Sequence, residues 1–429
     1  MTAMADLPGP ISEPTPARMP LLAAMAPLRE PMFTRLWIAA VISYTGTWMQ
    51  NVAAGWYMAS LTNSAIMVSL VQVAMSLPVF LVALPAGALA DMVDRRKLLL
   101  ITQWWMVAAA AVVGILAMVG ALTPWSLLLF TFLLGLGAVM NDPAWQAITP
   151  EVVSRDCFAS AVALNSVGFN IARAVGPAMA GIIISMAGAG PVFLLNAASF
   201  LGVIFFLTTW KNAPHAAPRP LAEIAESVAG GIMHLRDSKP VQSVLVRTGL
   251  FSVFASALWA LLPLVARPHG ALGYGILVGC FGLGALAGAA ILPSFRHRLS
   301  VNKVFVLATV LYAIAVLALA HADRFSRLAL VLFCAGVGWI TILASLNVSA
   351  QTMAPAPVRA RALSMYLLVL QGGMAAGSAL WGTMAEQAGI SRALLIASLG
   401  LIVGLITIPH YRLETRKLDL QTIAVHEEV

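Results

Sequence analysis

Along most of this chain, apolar residues run for about twenty positions, break at a few polar, glycine or proline positions, and resume. A helix needs roughly 20 apolar residues to cross a bilayer core about 30 Å thick. Lipid offers no partner to a free backbone group, so each run has to be helical. The pattern predicts an all-α membrane protein with spans over 36–60, 66–90, 98–119, 125–144, 162–187, 191–210, 244–266, 273–295, 304–321, 328–349, 362–384 and 393–410. Twelve transmembrane helices then fall into two six-helix bundles, 31–210 and 244–412.

Three polar segments complete the plan. The proline-rich head, 1–30, reads as a disordered cytoplasmic tail, because its apolar stretch Met19 to Ala26 is too short for a secretory signal with a cleavage site. A second cytoplasmic tail covers 413–429. In the linker, 211–243, Leu221, Ile224, Ala225, Val228, Ile232 and Leu235 recur at helical spacing opposite Glu223, Glu226 and Arg236. This predicts an amphipathic helix on the membrane surface, and a soluble connecting helix fits the same spacing.

Composition agrees with a lipid environment. Only 10% of residues are charged and 60% are hydrophobic, against about a quarter charged in soluble domains. The net charge of +8 raises the question of a nucleic-acid partner until the basic residues are placed. Nineteen lie in segments on the side of the two termini, four in loops on the other side, and Arg173 and Arg247 within spans. That bias puts both termini in the cytoplasm and accounts for the charge without nucleic acid. Arg247, near the end of its span, is expected to snorkel. Cys157, Cys280 and Cys334 are scattered, so neither a disulfide framework nor a zinc site is indicated.

The two halves resemble each other at a nearly fixed offset. At 201 residues Gly87 pairs with Gly288, Arg95 with Arg296, Gly135 and Gly137 with Gly336 and Gly338, and Gly176 and Gly181 with Gly377 and Gly382. Gln146 and Pro150 match Gln351 and Pro355 at 205. An internal repeat of this kind is common in secondary transporters.

Several motifs carry mechanism. The loop after the second span reads Gly87-Ala-Leu-Ala-Asp91-Met-Val-Asp94-Arg95-Arg96-Lys97. It resembles the signature loop of the major facilitator superfamily, which has a glycine, an aspartate four residues on, and then basic residues. It departs at Met92 and Asp94, where the superfamily usually has arginine and glycine. Asp91 can satisfy a facing helix N-terminus or an arginine. The resemblance implies a conformational gate on the cytoplasmic side, with Arg359 and Arg361 at the start of span eleven as partners and an Asp91 to Arg361 contact at its centre. The plainer reading of Arg95, Arg96 and Lys97 is that they only set orientation.

In span five, Arg173-Ala-Val-Gly176-Pro177-Ala-Met-Ala-Gly181 resembles the glycine-proline motif of the superfamily's drug and proton antiporters. Proline frees a carbonyl and kinks the helix, while glycines permit close helix contact. Ser166, Asn170, Arg173, Pro177 and Gly181 share one face, expected to look into the bundle. Arg173 lies deep in the span, where arginine needs water, a carbonyl or an acid. It is either the group for substrate or coupling chemistry or a structural tie between helices. Tyr44, Trp48 and Asn51 share a face of span one beside Gln50, and Asn196 and Gln371 add amides from spans six and eleven. With Trp259, Trp339 and Trp381 as aromatic walls, these would suit a large, partly apolar solute. A cavity with Arg173 and no deep acid favours an anionic or neutral solute. Asp142 is an acid within the spans, near the cytoplasmic end of span four. It is either a proton-coupling group or part of a helix terminus at Asn141-Asp142-Pro143.

These motifs, with Gly46-Thr-Trp48-Met-Gln50, Pro143-Ala-Trp145-Gln146 and Ala163-Leu-Asn165-Ser166, resemble the bacterial exporter branch of the superfamily that holds the enterobactin exporter and macrolide efflux proteins. The resemblance covers about residues 30–410. It implies a monomeric exporter of a siderophore, drug or metabolite in the inner membrane, driven by proton antiport and using no cofactor or metal. An importer or facilitator of the same fold, or a non-transporting sensor, is the alternative. A membrane enzyme would need paired carboxylates, a histidine cluster or a nucleophile with its base inside the spans, and none is present. No phosphate-binding glycine loop of the Walker type supports a primary pump.

Overall fold

The computed structural model describes residues 25–209, 238–354 and 358–413. Among them are twelve long helices: α1 Pro31–Leu61, α2 Ala65–Met92, α3 Arg95–Met118, α4 Pro124–Val152, α5 Phe158–Ala187, α6 Gly190–Thr209, α7 Lys239–Val265, α8 Gly270–Arg296, α9 Val301–Leu319, α10 Phe325–Met353, α11 Arg359–Ala388 and α12 Ile390–Gly404. Eleven are long and apolar enough to cross a membrane. The exception is α1, whose hydropathy is lowered by Ser43, Tyr44, Thr45, Thr47, Gln50 and Asn51.

Short connections force antiparallel neighbours, and local chemistry fixes where each helix starts. The Ser64 hydroxyl accepts from Met67 N at the head of α2, and Ser300 accepts from Lys303 N at the head of α9. A reciprocal Thr123 and Ser126 box opens α4. Two glycines 201 residues apart make equivalent turns: Gly188 after α5 has φ +79° and Gly389 after α11 has φ +90°, a backbone region that side chains avoid.

Helices α1 to α6 pack among themselves, as do α7 to α12, and the groups meet mainly where α2 crosses α11 and α5 crosses α8. The repeat is visible in these contacts. Gly176 of α5 lies against Trp48 and Thr45 of α1, and Gly377 of α11 lies against Val253 of α7. Gly181 of α5 meets Gly275 of α8, and Gly382 of α11 meets Ser69 of α2. Each pair of repeat-related glycines thus makes the same crossing in the other half, where a side chain would hold the backbones apart.

The structure differs from the sequence reading at several points. Within the expected tail, Ala26–Arg29 forms a 3-10 turn with Pro27 buried, and the Glu30 carboxylate accepts from Ser154 N and Oγ at 3.3 and 3.1 Å. Helix α4 does not end at Asn141-Asp142-Pro143 but runs on to Val152. Proline removes one N–H from the helix, while Asn141 accepts from Thr102 Oγ1 at 3.3 Å and Gln103 Nε2 at 3.1 Å and ties this turn to α3. Arg247 does not snorkel. It is 2% exposed, stacks 5.1 Å over Phe305 and, among the described residues, reaches only the Ile408 carbonyl, at 3.5 Å. The expected linker helix lies outside the described residues.

Candidate functional site

Two ends of the molecule can be told apart. The basic end carries the first turn of α1 and the connections at 93–94 and 297–300; the far end carries the turns at 62–64, 188–189 and 266–269. At the far end the halves are in close contact. The Glu386 carboxylate at the end of α11 accepts from the backbone N–H of Ala65 and from Ile66 N at 3.3 Å and Ser64 Oγ at 3.2 Å, capping α2 across the interface. Arg267 Nη1 donates to Asn63 Oδ1 at 2.6 Å. A Cβ on Gly275 would stand 2.5 Å from the Pro177 carbonyl oxygen and 2.7 Å from Gly181 Cα.

Moving toward the basic end, the contacts loosen. Gly282 still meets the Arg173 carbonyl, and Gly372 still meets the Phe80 ring. Beyond that level Asn170 is half-buried and Ser166 exposed on the same face of α5, while Ala289, Ala290 and Pro293 are exposed on α8. A Cβ on Gly87 would meet nothing within 4 Å. The face of α5 read from spacing is therefore buried only in its far half, because the halves diverge toward the basic end.

A cavity of about 490 Å³ sits where the divergence begins. Trp48 and Asn51 of α1, Arg173 of α5, Gln371 of α11, Trp259 of α7 and Trp339 of α10 all line it. Its roof is formed where Gly55 lies against Tyr274 and Pro263 and where Trp56 stacks on Tyr274 with centroids 6.0 Å apart. The sequence reading missed Gln72 and Ser76 of α2, Tyr274 of α8 and Phe169 of α5. The one signal available was the four-residue spacing of Gln72 and Ser76, whose side chains bond at 3.0 Å.

Among the described residues, Arg173 is the only charged side chain lining this cavity. It is 8% exposed, its guanidinium lies 5.8 Å from the centroids of both Trp48 and Phe281, and its Nε is buried with no hydrogen-bond partner among the described residues. Toward the basic end an aromatic path continues: Trp48 and Tyr44 meet Phe169 edge-on at 6.1 and 5.5 Å, and the Tyr44 hydroxyl accepts from Trp145 Nε1 at 3.1 Å. Asp142, one turn from Trp145, is exposed and within electrostatic reach of Tyr44.

Other predicted residues lie elsewhere. Asn196 Nδ2 donates to Gln50 Oε1 at 3.4 Å, inside the first half, and both line a smaller cavity of about 170 Å³. Trp381 is 2% exposed and donates to the Val253 carbonyl, so it packs the second half rather than lining the central cavity. Asp94 caps α3, accepting from Arg96 N at 2.9 Å and Lys97 N at 3.2 Å. Arg96 donates to the Leu207 and Thr208 carbonyls at 2.8 and 3.1 Å, at the end of α6 in the same half. Arg359 is exposed and Arg361 half-buried in the first turn of α11. The Asp91 side chain, and with it the expected contact to Arg361, lies outside the described residues.

Solved structures share this fold. The nucleoside transporter NupG superposes with a TM-score of 0.70 at 15% identity, covering 89% of this chain and 100% of that one. A bacterial homologue of the human lysosomal transporter Spinster, in an inward-facing and unoccupied conformation, gives 0.66 at 13% identity, covering 90% and 98%. The fold, together with a family match that spans nearly the whole chain, makes this a multi-pass membrane transporter of the major facilitator type, not an enzyme.

Within that class the chain belongs to the transmembrane secretion effector family, which it matches over residues 22–428. It is 27% identical over 403 residues to the multidrug efflux pump Tap of Mycolicibacterium fortuitum, covering 89% of this chain and 96% of that protein. It is 25% identical over 400 residues to the enterobactin exporter EntS of Escherichia coli, covering 89% and 94%. The staphyloferrin A transporter of Staphylococcus aureus is 24% identical over 289 residues, covering 65% and 71%.

Proposed function

We propose that this protein exports a small molecule, a siderophore, drug or metabolite, across the bacterial inner membrane by alternating access in exchange for protons. The observation that carries the reading is the Arg173 cavity, roofed at the far end and lying where the halves part toward the basic end. The basic excess supports a cytoplasmic side for that end, and on this reading the form described here takes its substrate from inside. The direction accords with the efflux and exporter relatives. Rocking of the halves about the cavity then closes the basic end, with the loop from Gly87 to Lys97 bringing Asp91 to Arg361, and opens the far end. Gly176, Pro177 and Gly181 give α5 its kink and its close crossings.

Asp142 is the proton carrier in this scheme. It lies in a helix that continues past it and is exposed beside Tyr44 on the path to the cavity. The test begins with loss of growth of a deletion strain on a panel of toxic compounds, followed by uptake of the implicated compound into everted vesicles. Uptake driven by an imposed pH gradient and lost in Asp142→Asn supports the reading. Uptake that ignores a collapsed gradient refutes antiport, and accumulation by whole cells instead refutes export.

A further inference from the structure

We infer that the central cavity is a site for a monoanionic aromatic compound, an arene carboxylate, bound through Arg173 with its ring among the cavity indoles. The inference rests on reading this cavity as the transport site and adds the chemical class of its cargo. Among the described lining residues, Arg173 contributes the one formal charge, none is acidic, and the remaining polar groups, such as Asn51, Gln72, Ser76 and Gln371, are neutral. A cation held in a water-poor site attracts an anion far more strongly than in bulk and repels another cation equally. Arg173 also lacks any protein partner among the described residues beyond the rings of Trp48 and Phe281, and its Nε is orphaned. A buried guanidinium without an acid or carbonyl is costly in a membrane, and a carboxylate in the planar fork would satisfy it.

One arginine balances one negative charge, so a phosphate ester or a polycarboxylate would leave charge uncompensated. The ring is specified by the walls. Trp259 and Trp339 line the cavity with centroids 5.8 Å apart at 66°, and Phe281 sits 4.8 Å from Trp259 at 71°. These rings come from the second half, whereas Arg173 and Trp48 come from the first. A flat aromatic anion would therefore touch both halves at once, its charge on one and its ring on the other.

The test is direct binding to the purified full chain in detergent micelles, by calorimetry, which requires neither a gradient nor a transport direction. The probes are 2-naphthoate, the neutral 2-naphthamide, the cationic 2-naphthylmethylamine and the non-aromatic cyclohexanecarboxylate. The expected result is at least 10-fold tighter binding of 2-naphthoate than of each of the others. Arg173→Gln should bring 2-naphthoate down to the affinity of 2-naphthamide while leaving the amide within about threefold, which also reports a folded cavity. Arg173→Lys, the second variant, should retain a preference for naphthoate over the amide. Equal affinity for anion and cation, no binding of any probe, or an unchanged naphthoate affinity in Arg173→Gln would overturn the inference. Binding as expected in a protein that fails the vesicle assay would count against the export reading alone.

Discussion

The far end is closed by helices that touch backbone to backbone, so the smallest added group should wedge it open. At Gly275 a Cβ would lie 2.5 Å from the Pro177 oxygen, 2.7 Å from Gly181 Cα and 2.9 Å from Gly181 N. Ordinary contact begins at 3.4 Å, so α5 and α8 must part by about 0.9 Å. All three atoms are backbone and no rotamer relieves the clash. Overpacking of this kind costs about 1–3 kcal/mol. The helix-propensity gain of Gly→Ala, about 1 kcal/mol, is the same whichever end is open and cancels. At ~1.4 kcal/mol per tenfold, Gly275→Ala should shift the balance toward the far-end-open form by about 5- to 150-fold. Ser69, fully buried where α2 meets Gly382, reports it. With Cys157, Cys280 and Cys334 replaced by serine and Ser69 by cysteine, a membrane-impermeant maleimide added at the far end should react faster by that factor. Gly279→Ala is the control, because its Cβ would stand 3.4 Å from the Ala174 oxygen and needs almost no movement. If Gly275→Ala and Gly279→Ala label Ser69→Cys at the wild-type rate alike, the α5 and α8 crossing does not hold the far end shut.

Three further outcomes follow from named contacts. Glu386→Ala removes the cap that α11 places on α2; at about 0.5–2 kcal/mol for a cap, Ser69→Cys labelling should rise about 2- to 30-fold, whereas no change would make the contact incidental. Arg96→Met loses two bonds to the end of α6 within one half, so thermal unfolding in micelles should show a loss of about 1–3 kcal/mol with Ser69→Cys labelling unchanged. Arg247 is buried, with Nε and Nη1 unpartnered among the described residues, and replacing such a charge by an apolar group of similar length is often neutral or stabilising. Arg247→Met should therefore melt no lower than wild type, while Arg247→Ala, which leaves a void, should melt lower.

The helices were legible because lipid imposes one solution on a long apolar run, and the repeat because close crossings demand glycine at matching places. Gly181 and Gly382 are 201 residues apart and make equivalent contacts. The cavity was legible where a polar residue stood out against an apolar face, as with Arg173, Asn51 and Gln371. Facing direction was less legible, since a membrane helix is apolar all round and its spacing does not say which neighbour it meets. Gln50 and Asn196 consequently bond to each other inside the first half, and Trp381 packs on α7. Asn141-Asp142-Pro143 has the composition of a helix end, yet tertiary bonds from α3 carry α4 through it. Glu386 lay beyond the end of its expected span. Its partners are some 320 residues away in sequence, so only the fold brings it to the head of α2.

The central claim is that the Arg173 cavity opens to one side at a time, and Asn51, half-buried in its wall, can be asked directly. A single cysteine at Asn51 in the cysteine-free background would be exposed to an impermeant maleimide from either face, in everted and in right-side-out vesicles. The account predicts fast labelling from the basic face, slow labelling from the far face, and a shift of that preference toward the far face when Gly275→Ala is added. Labelling that is equal from both faces, or a preference that Gly275→Ala leaves untouched, would contradict it.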